Sequence, residues 1–154
     1  MQRKQCENAV RRLKGNLEMA DSVLTNLQEA TARVPFHQWL RPEVVEADQA
    51  AGRAVISLAI RPDFRRDADS VHGGVIAALI DIAGHAAIAA RLGRGAPTID
   101  LRVDYLRLAV GSALLATAEA LKVGRSIGLV EIRVTDDQSR LVAVGRCVFS
   151  TQDR

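Results

Sequence analysis

Aromatic residues are scarce in this chain: one Trp, one Tyr and three Phe among 154 residues, 3% of the whole. Modules that stack bases on exposed rings are therefore disfavoured, and any core has to be aliphatic. Cysteine is nearly absent as well. Cys6 and Cys147 stand too far apart in sequence to outline a disulfide framework, and neither opens a metal-binding spacing. A cytoplasmic chain is the simplest expectation. The first thirty residues lack the continuous apolar segment of a secretory signal, and Glu7, Glu18, Asp21 and Glu29 speak against a transit peptide. Charge of one sign is not in large excess: 21 Lys and Arg against 18 Asp and Glu leave a net +3, which fits a solvated surface without a nucleic-acid partner. There is no Gly-x-x-x-x-Gly-Lys phosphate loop and no Gly-x-Ser-x-Gly elbow, and Gly93-Arg94-Gly95 lacks the dinucleotide pattern.

What is present is aliphatic mass. Apolar residues make up 48% and charged residues 25%, the balance of a globular domain able to bury a core. One run stands out, Val71 to Ala90, VHGGVIAALIDIAGHAAIAA. From Val75 onward it is aliphatic on every side, which predicts a helix enclosed by protein. Asp67, Asp69, Arg91 and Arg94 flank it, so a core helix is expected and not a membrane span. Gly73 and Gly74 fall at its start, where the first N–H groups have no partner within the helix and suit an oxygen that becomes negative. Asp81 follows Gly74 by seven residues, which returns it to nearly the same face about 10 Å further along. A carboxylate there is either held by structural hydrogen bonds or used in chemistry, and spacing alone leaves both readings open.

The rest is arranged around that run. Val10, Leu13, Leu17, Ala20, Leu24 and Leu27 form an apolar stripe, which predicts an amphipathic helical extension over residues 1–33, interrupted near Gly15 and packed on the domain or on a neighbouring subunit. Arg3, Lys4, Arg11, Arg12 and Lys14 read as its solvated start. Val34 to Leu40 is expected to drop Phe36 and Trp39 onto the core. Val44 to Ala47 and Arg53 to Ile60 read as a hairpin turning at Ala51-Gly52, followed by the charged loop PDFRRDADS. Gly93, Gly95 and Pro97 stop the central helix. Strands then alternate over about 98–108, 112–122, 127–135 and 141–150, which predicts an antiparallel meander and a core position for Cys147. The class is α+β, with one domain over 34–154. His85, four residues after Asp81, matches no zinc spacing and reads as a hydrogen-bonded core histidine, so no metal is expected.

His72, Gly73, Gly74, Leu79 and Asp81, with TIDLRVDYLR (98–107), LKVGRS (121–126) and RLVAVGRCVFS (140–150), resemble the hotdog-fold acyl-CoA thioesterases of the phenylacetate-degradation type. The resemblance implies an antiparallel sheet curled around the central helix, and dimers, often paired into tetramers, with sites at the subunit interface. It implies hydrolysis of an acyl or aryl-acyl thioester to free acid and coenzyme A, with Asp81 as general base or nucleophile and the Gly73 N–H on the thioester oxygen. His72 and Gly74 would border the substrate, Thr98 would place the water, and Lys122, Gly124, Arg125 and Ser126 would lie near coenzyme A. Coenzyme A is then part of the substrate and no separate cofactor is needed. One departure is Arg66, where many relatives carry an Asn six residues before the His. The competing reading is an acyl-CoA-binding sensor or scaffold on the same fold; retention of Asp81 within an intact motif favours the enzyme.

Overall fold

The computed structural model describes residues 21–152. The stripe positions Val10 to Ala20, Gly15, the basic residues that open the chain and Cys6 lie outside the described residues. The chain is helical over 21–33 (α1), where Leu27 is buried and Leu24 packs against the same core. A second short helix follows, α2 (Pro35–Leu40). Next come β1 (Glu43–Asp48) and β2 (Arg53–Ala59), the expected hairpin, and a single 3-10 turn at Pro62–Phe64. The central helix α3 (Gly73–Leu92) starts two residues later than the apolar run does and ends at Gly93, whose φ of 72° is left-handed and whose N–H bonds Ala89 O. The remaining strands are β3 (Thr98–Tyr105), β4 (Ala113–Val123), β5 (Ile127–Asp136) and β6 (Leu141–Ser150).

All six strands form one antiparallel sheet in the order β1-β2-β4-β5-β6-β3. This corrects the expected meander. Only β4, β5 and β6 follow one another; β4 joins β2, and β3 crosses to the far side of β6 and becomes an edge. Strand β3 is also shorter than its alternation predicts, because Leu106 and Arg107 both turn their N–H groups onto Val142 O and leave the ladder.

The sheet packs on α3 through Ile56, Leu58, Leu114, Val130, Ile132, Val134 and Phe149, which meet Leu79, Ile80 and Ile88, all fully buried. Two strand glycines permit this closeness. A Cβ on Gly145 would come within 2.3 Å of Ile80 Cγ2, and one on Gly128 within 2.5 Å of Ile88 Cδ1. Truncating a buried isoleucine such as Ile80 to Ala is expected to cost about 2–5 kcal/mol. Cys147 is buried as expected, and burial pushes its thiol up to about 12, with the nearby charges of Asp81 and Asp100 adding to the shift. It is no nucleophile at neutral pH.

Two further expectations need correction. Helix α3 is not enclosed on every side: Gly74, Ala77, Ala78, Asp81 and His85 form an incompletely covered stripe, so the acid is not sealed into the interior. Nor do Phe36 and Trp39 drop into the core, since they are 49% and 50% exposed. Trp39 instead meets the buried Phe64 edge-on at 5.4 Å, and the Arg61 guanidinium lies 4.1 Å from the Phe64 centroid.

Candidate active site

The site residues fall at two places along α3 and β3. At the start of α3, the extended backbone of His72 (φ −64°, ψ 133°) makes it the N-cap, and its Nδ1 accepts from the Gly74 N–H at 2.9 Å. That bond places the ring proton on Nε2. The His72 N–H donates to Phe64 O at 2.8 Å and ties the helix start to the preceding turn. With Gly74 occupied by the cap, the Gly73 N–H is the amide at this terminus that has no partner among the described residues. It is unpaired, dipole-aided and not blocked by a side chain of its own.

Tyr105 secures this end. Its hydroxyl donates to Gly73 O at 2.8 Å, and its ring lies 3.3 Å from where a Gly73 Cβ would stand. Sequence reasoning did not single out Tyr105. The available signal was a polar-tipped aromatic closing the face that Leu101 and Val103 begin.

Further along α3 stands Asp81, half-buried. The Thr98 hydroxyl donates to its Oδ1 at 2.8 Å. Oδ2 has no partner among the described residues, so the carboxylate is oriented through one oxygen and open through the other. The contact depends on an irregularity in β3. Thr98 pairs with Phe149 and Asp100 with Val148, so Ile99 is an extra residue, and the bulge turns Thr98 toward the helix. Thr98 also borders an open cleft of about 490 Å³, with Pro97, Arg94 and His85; Asp81 does not line that cleft itself and adjoins it through Thr98.

His85 sits one turn beyond Asp81. It is not the enclosed core histidine the sequence suggests: it is exposed at the cleft, with its ring edge-on to Phe149 at 6.3 Å. Desolvation still holds its pKa below the ordinary histidine value, opposed by the charge of Asp81 and reinforced by His37. Neutral imidazole is its resting form.

Gly124, Arg125 and Ser126 form the β4–β5 connection and Lys122 is among the last residues of β4, with Lys122, Arg125 and Ser126 exposed. Thr151 clamps it, donating its hydroxyl to Gly124 O at 2.7 Å and its N–H to Ser126 O at 3.0 Å. Phe149 pairs with Gly128 on one side and Thr98 on the other, so this turn stands two strands from Thr98, about 10 Å at ordinary strand spacing. Asp81, Thr98 and the basic turn therefore share one end of the sheet. His72 and Gly73 do not. They are tied to Tyr105, at the opposite end of β3, and Gly73 and Asp81 are eight residues apart on the helix, about 12 Å.

Arg66 lies in the loop before His72, where its Nη2 meets Asp67 Oδ2 at 2.8 Å. Asp67 also accepts from Ser70 and Asp69, and these bonds, Arg66 first, hold its carboxyl well below the usual range.

Residues 68–143 match the family model described as the thioesterase superfamily. A protein of Mycobacterium tuberculosis, provisionally named an esterase, is 32% identical over 118 residues, covering 73% of this chain and 83% of that protein. This chain belongs to the thioesterase superfamily. Its hotdog architecture is shared with a solved thioesterase-superfamily protein at 32% identity, TM-score 0.79, over 84% of this chain and 98% of the other. It is shared also with the Escherichia coli PaaI protein of the phenylacetic acid degradation operon, at 22% identity and TM-score 0.77 over 86% and 94%. The 1,4-dihydroxy-2-naphthoyl-CoA hydrolase of Listeria monocytogenes is 28% identical over 114 residues, 73% of this chain and 91% of that enzyme. A Halobacterium salinarum protein, again provisionally named an esterase, is 43% identical over 89 residues, 51% of this chain but only 58% of its own length. Thioester hydrolysis is the chemistry of this superfamily, and the phenylacetate-type resemblance read from His72 to Asp81 agrees with the fold.

Proposed function

We propose that this protein hydrolyses an acyl-CoA thioester, with Asp81 as the group that activates water. The observation that carries the reading is the carboxylate itself: half-buried, fixed through Oδ1 by Thr98, open through Oδ2, and beside a cleft. Binding alone requires no such acid. Asp81 takes a proton from water as the oxygen attacks the carbonyl carbon; the C–O bond forms, negative charge moves to the carbonyl oxygen, and its collapse breaks the C–S bond. The thiolate of coenzyme A leaves and takes up the proton. Direct attack by Asp81, giving an anhydride that water then opens, uses the same geometry. An amide at a helix start suits the intermediate oxyanion, a contribution of about 3 kcal/mol for one such donor.

The 12 Å between Gly73 and Asp81 on one helix is too far for both to meet a single carbonyl. The outer edge of β3 supplies a solution. It is unpaired, and it exposes Ile99 (59%), Leu101 (38%) and Tyr105 (53%), the kind of edge that invites a second copy. Two copies pairing antiparallel about Leu101 would set Leu101 against its counterpart and Asp100 against the other copy's Arg102, matching apolar with apolar and acid with base. The same operation sets the Thr98 end of one strand beside the Tyr105 end of the other. Asp81 of one subunit then approaches Gly73 of its partner. Lys122 and Arg125 on the exposed turn suit the phosphates of coenzyme A, with Gly124 and Ser126 offering backbone and a hydroxyl.

Thiol release from a panel of acyl-CoA esters tests the reading. Wild type is expected to release thiol, and Asp81→Asn to lose about a thousandfold in kcat with its fold intact by circular dichroism. Release unchanged in Asp81→Asn would remove the acid from the mechanism, and tight binding without release from any ester would make the protein a sensor.

A further inference from the structure

A cavity of about 240 Å³ lies between α1 and the last turns of α3. Its lining is mixed: Ala86, Ala89 and Ala90 from α3 face Val23, Leu27 and Ala30 from α1, while Asn26, Thr31, His37, Gln49, His85 and Arg94 add polar groups. It is a partly open groove and not a sealed void, since Asn26, Ala30, Val34, Gln49 and His85 along it are exposed. It is not isolated from the chemistry. His85, Arg94 and Gly95 border both this cavity and the cleft that Thr98 lines, so the two spaces adjoin. Along α3 the steps Asp81, His85 and Ala89 recur every four residues on one stripe, which places the cavity about 6 to 12 Å beyond the carboxylate.

We propose that this cavity receives the distal part of a medium-length aliphatic acyl chain whose thioester carbonyl is held at Asp81. The assignment rests on the thioesterase reading above and adds the substrate class. No Phe, Tyr or Trp lines the space, where the imidazoles of His37 and His85 are the rings at its border, and a flexible hydrocarbon chain can follow the slot between two helices past the alanines. A space of about 240 Å³ accommodates several methylenes but not the full tail of a long-chain fatty acid. Small side chains make the room: Ala86, Ala89 and Ala90 leave what leucines would fill.

The test uses the full chain and a series of acetyl-, butyryl-, hexanoyl-, octanoyl-, dodecanoyl- and benzoyl-CoA. For wild type, kcat/KM is expected to rise roughly fourfold for each methylene that enters the cavity and then to level or fall. Ala89→Leu, from the α3 side, is expected to cut the octanoyl-to-butyryl ratio at least about tenfold and to move the optimum to shorter chains. Ala30→Leu, on the exposed face of α1 and therefore harmless to folding, is expected to move it the same way. A flat chain-length profile, a preference for benzoyl-CoA, or both variants keeping the wild-type profile would overturn the cavity assignment while leaving the hydrolase reading in place. If no ester is hydrolysed, that reading fails, and calorimetry of octanoyl-CoA against free coenzyme A still decides the cavity. Tighter binding of octanoyl-CoA that Ala89→Leu abolishes upholds the assignment, and equal binding of the two overturns it.

Discussion

The two ends of the α3–β3 pair carry different kinds of chemistry. At the Thr98 end the proposed reactive group is a side chain, and another side chain orients it: the Thr98 hydroxyl fixes one oxygen of Asp81 at 2.8 Å. At the Tyr105 end the proposed functional group is the backbone. His72 caps Gly74 so that the Gly73 N–H stays unpaired, and Tyr105 holds the Gly73 peptide from the carbonyl side at 2.8 Å. A side-chain site is lost by changing a side chain, whereas a backbone donor can be removed cleanly only by a residue that has no N–H. The contrast also explains the roles of the two hydroxyls. On the proposed reading neither touches the substrate, and each positions the group that does.

Changes at either end separate these roles. Gly73→Pro removes the amide while keeping the helix, because proline is favoured at the first helical position and His72 already has the extended backbone that precedes proline. Its Cβ would stand 3.3 Å from Tyr105 Cζ, closer than ordinary contact, so the Tyr105 ring has to give by a few tenths of an ångström. The expected loss is about a hundred- to thousandfold in kcat, read by thiol release, with helicity retained. A smaller loss would mean that another donor meets the oxyanion. Thr98→Val removes the hydroxyl but keeps the shape, and kcat is expected to fall about tenfold with KM little changed, the size of one hydrogen bond to a charged group. If Thr98→Val and wild type turn over equally, Asp81 is oriented by something else. Tyr105→Phe should be the mildest, costing about 1 kcal/mol of stability through the lost bond to Gly73 O, a fall of about 2–4 °C in Tm. No change in melting would remove Tyr105 from the support of the helix start.

How far these two ends were legible in the sequence follows from how local each is. His72, Gly73, Gly74 and Asp81 lie within one helical segment, so periodicity alone sets their spacing and order along one face. The strand over Ile99 to Tyr105 was equally plain from alternation, but its neighbour was not. Strand β3 pairs with β6, about forty to fifty residues on, and no local signal distinguishes that edge from the nearer β4. The link between Tyr105 and Gly73 depends on that pairing, as does the bulge at Ile99 that aims Thr98 at Asp81. Trp39 was misread for a related reason: its partner Phe64 lies in another loop, and their edge contact sits at the surface. The cavity beneath α1 depends on how two helices distant in sequence pack, which alanine spacing alone does not convey.

The central claim is that a working centre takes its acid from one subunit and its amide from another. Mixing Asp81→Asn with Gly73→Pro after reversible dissociation tests it directly. Each variant alone is nearly inactive, but a mixed pair holds one intact centre. Random reassortment of equal amounts gives half mixed pairs with one good centre of two, so the account predicts recovery to about a quarter of wild-type thiol release if the pairing is two-fold. Activity that stays at the sum of the two separate variants, with exchange of subunits demonstrated by mass spectrometry, would contradict it.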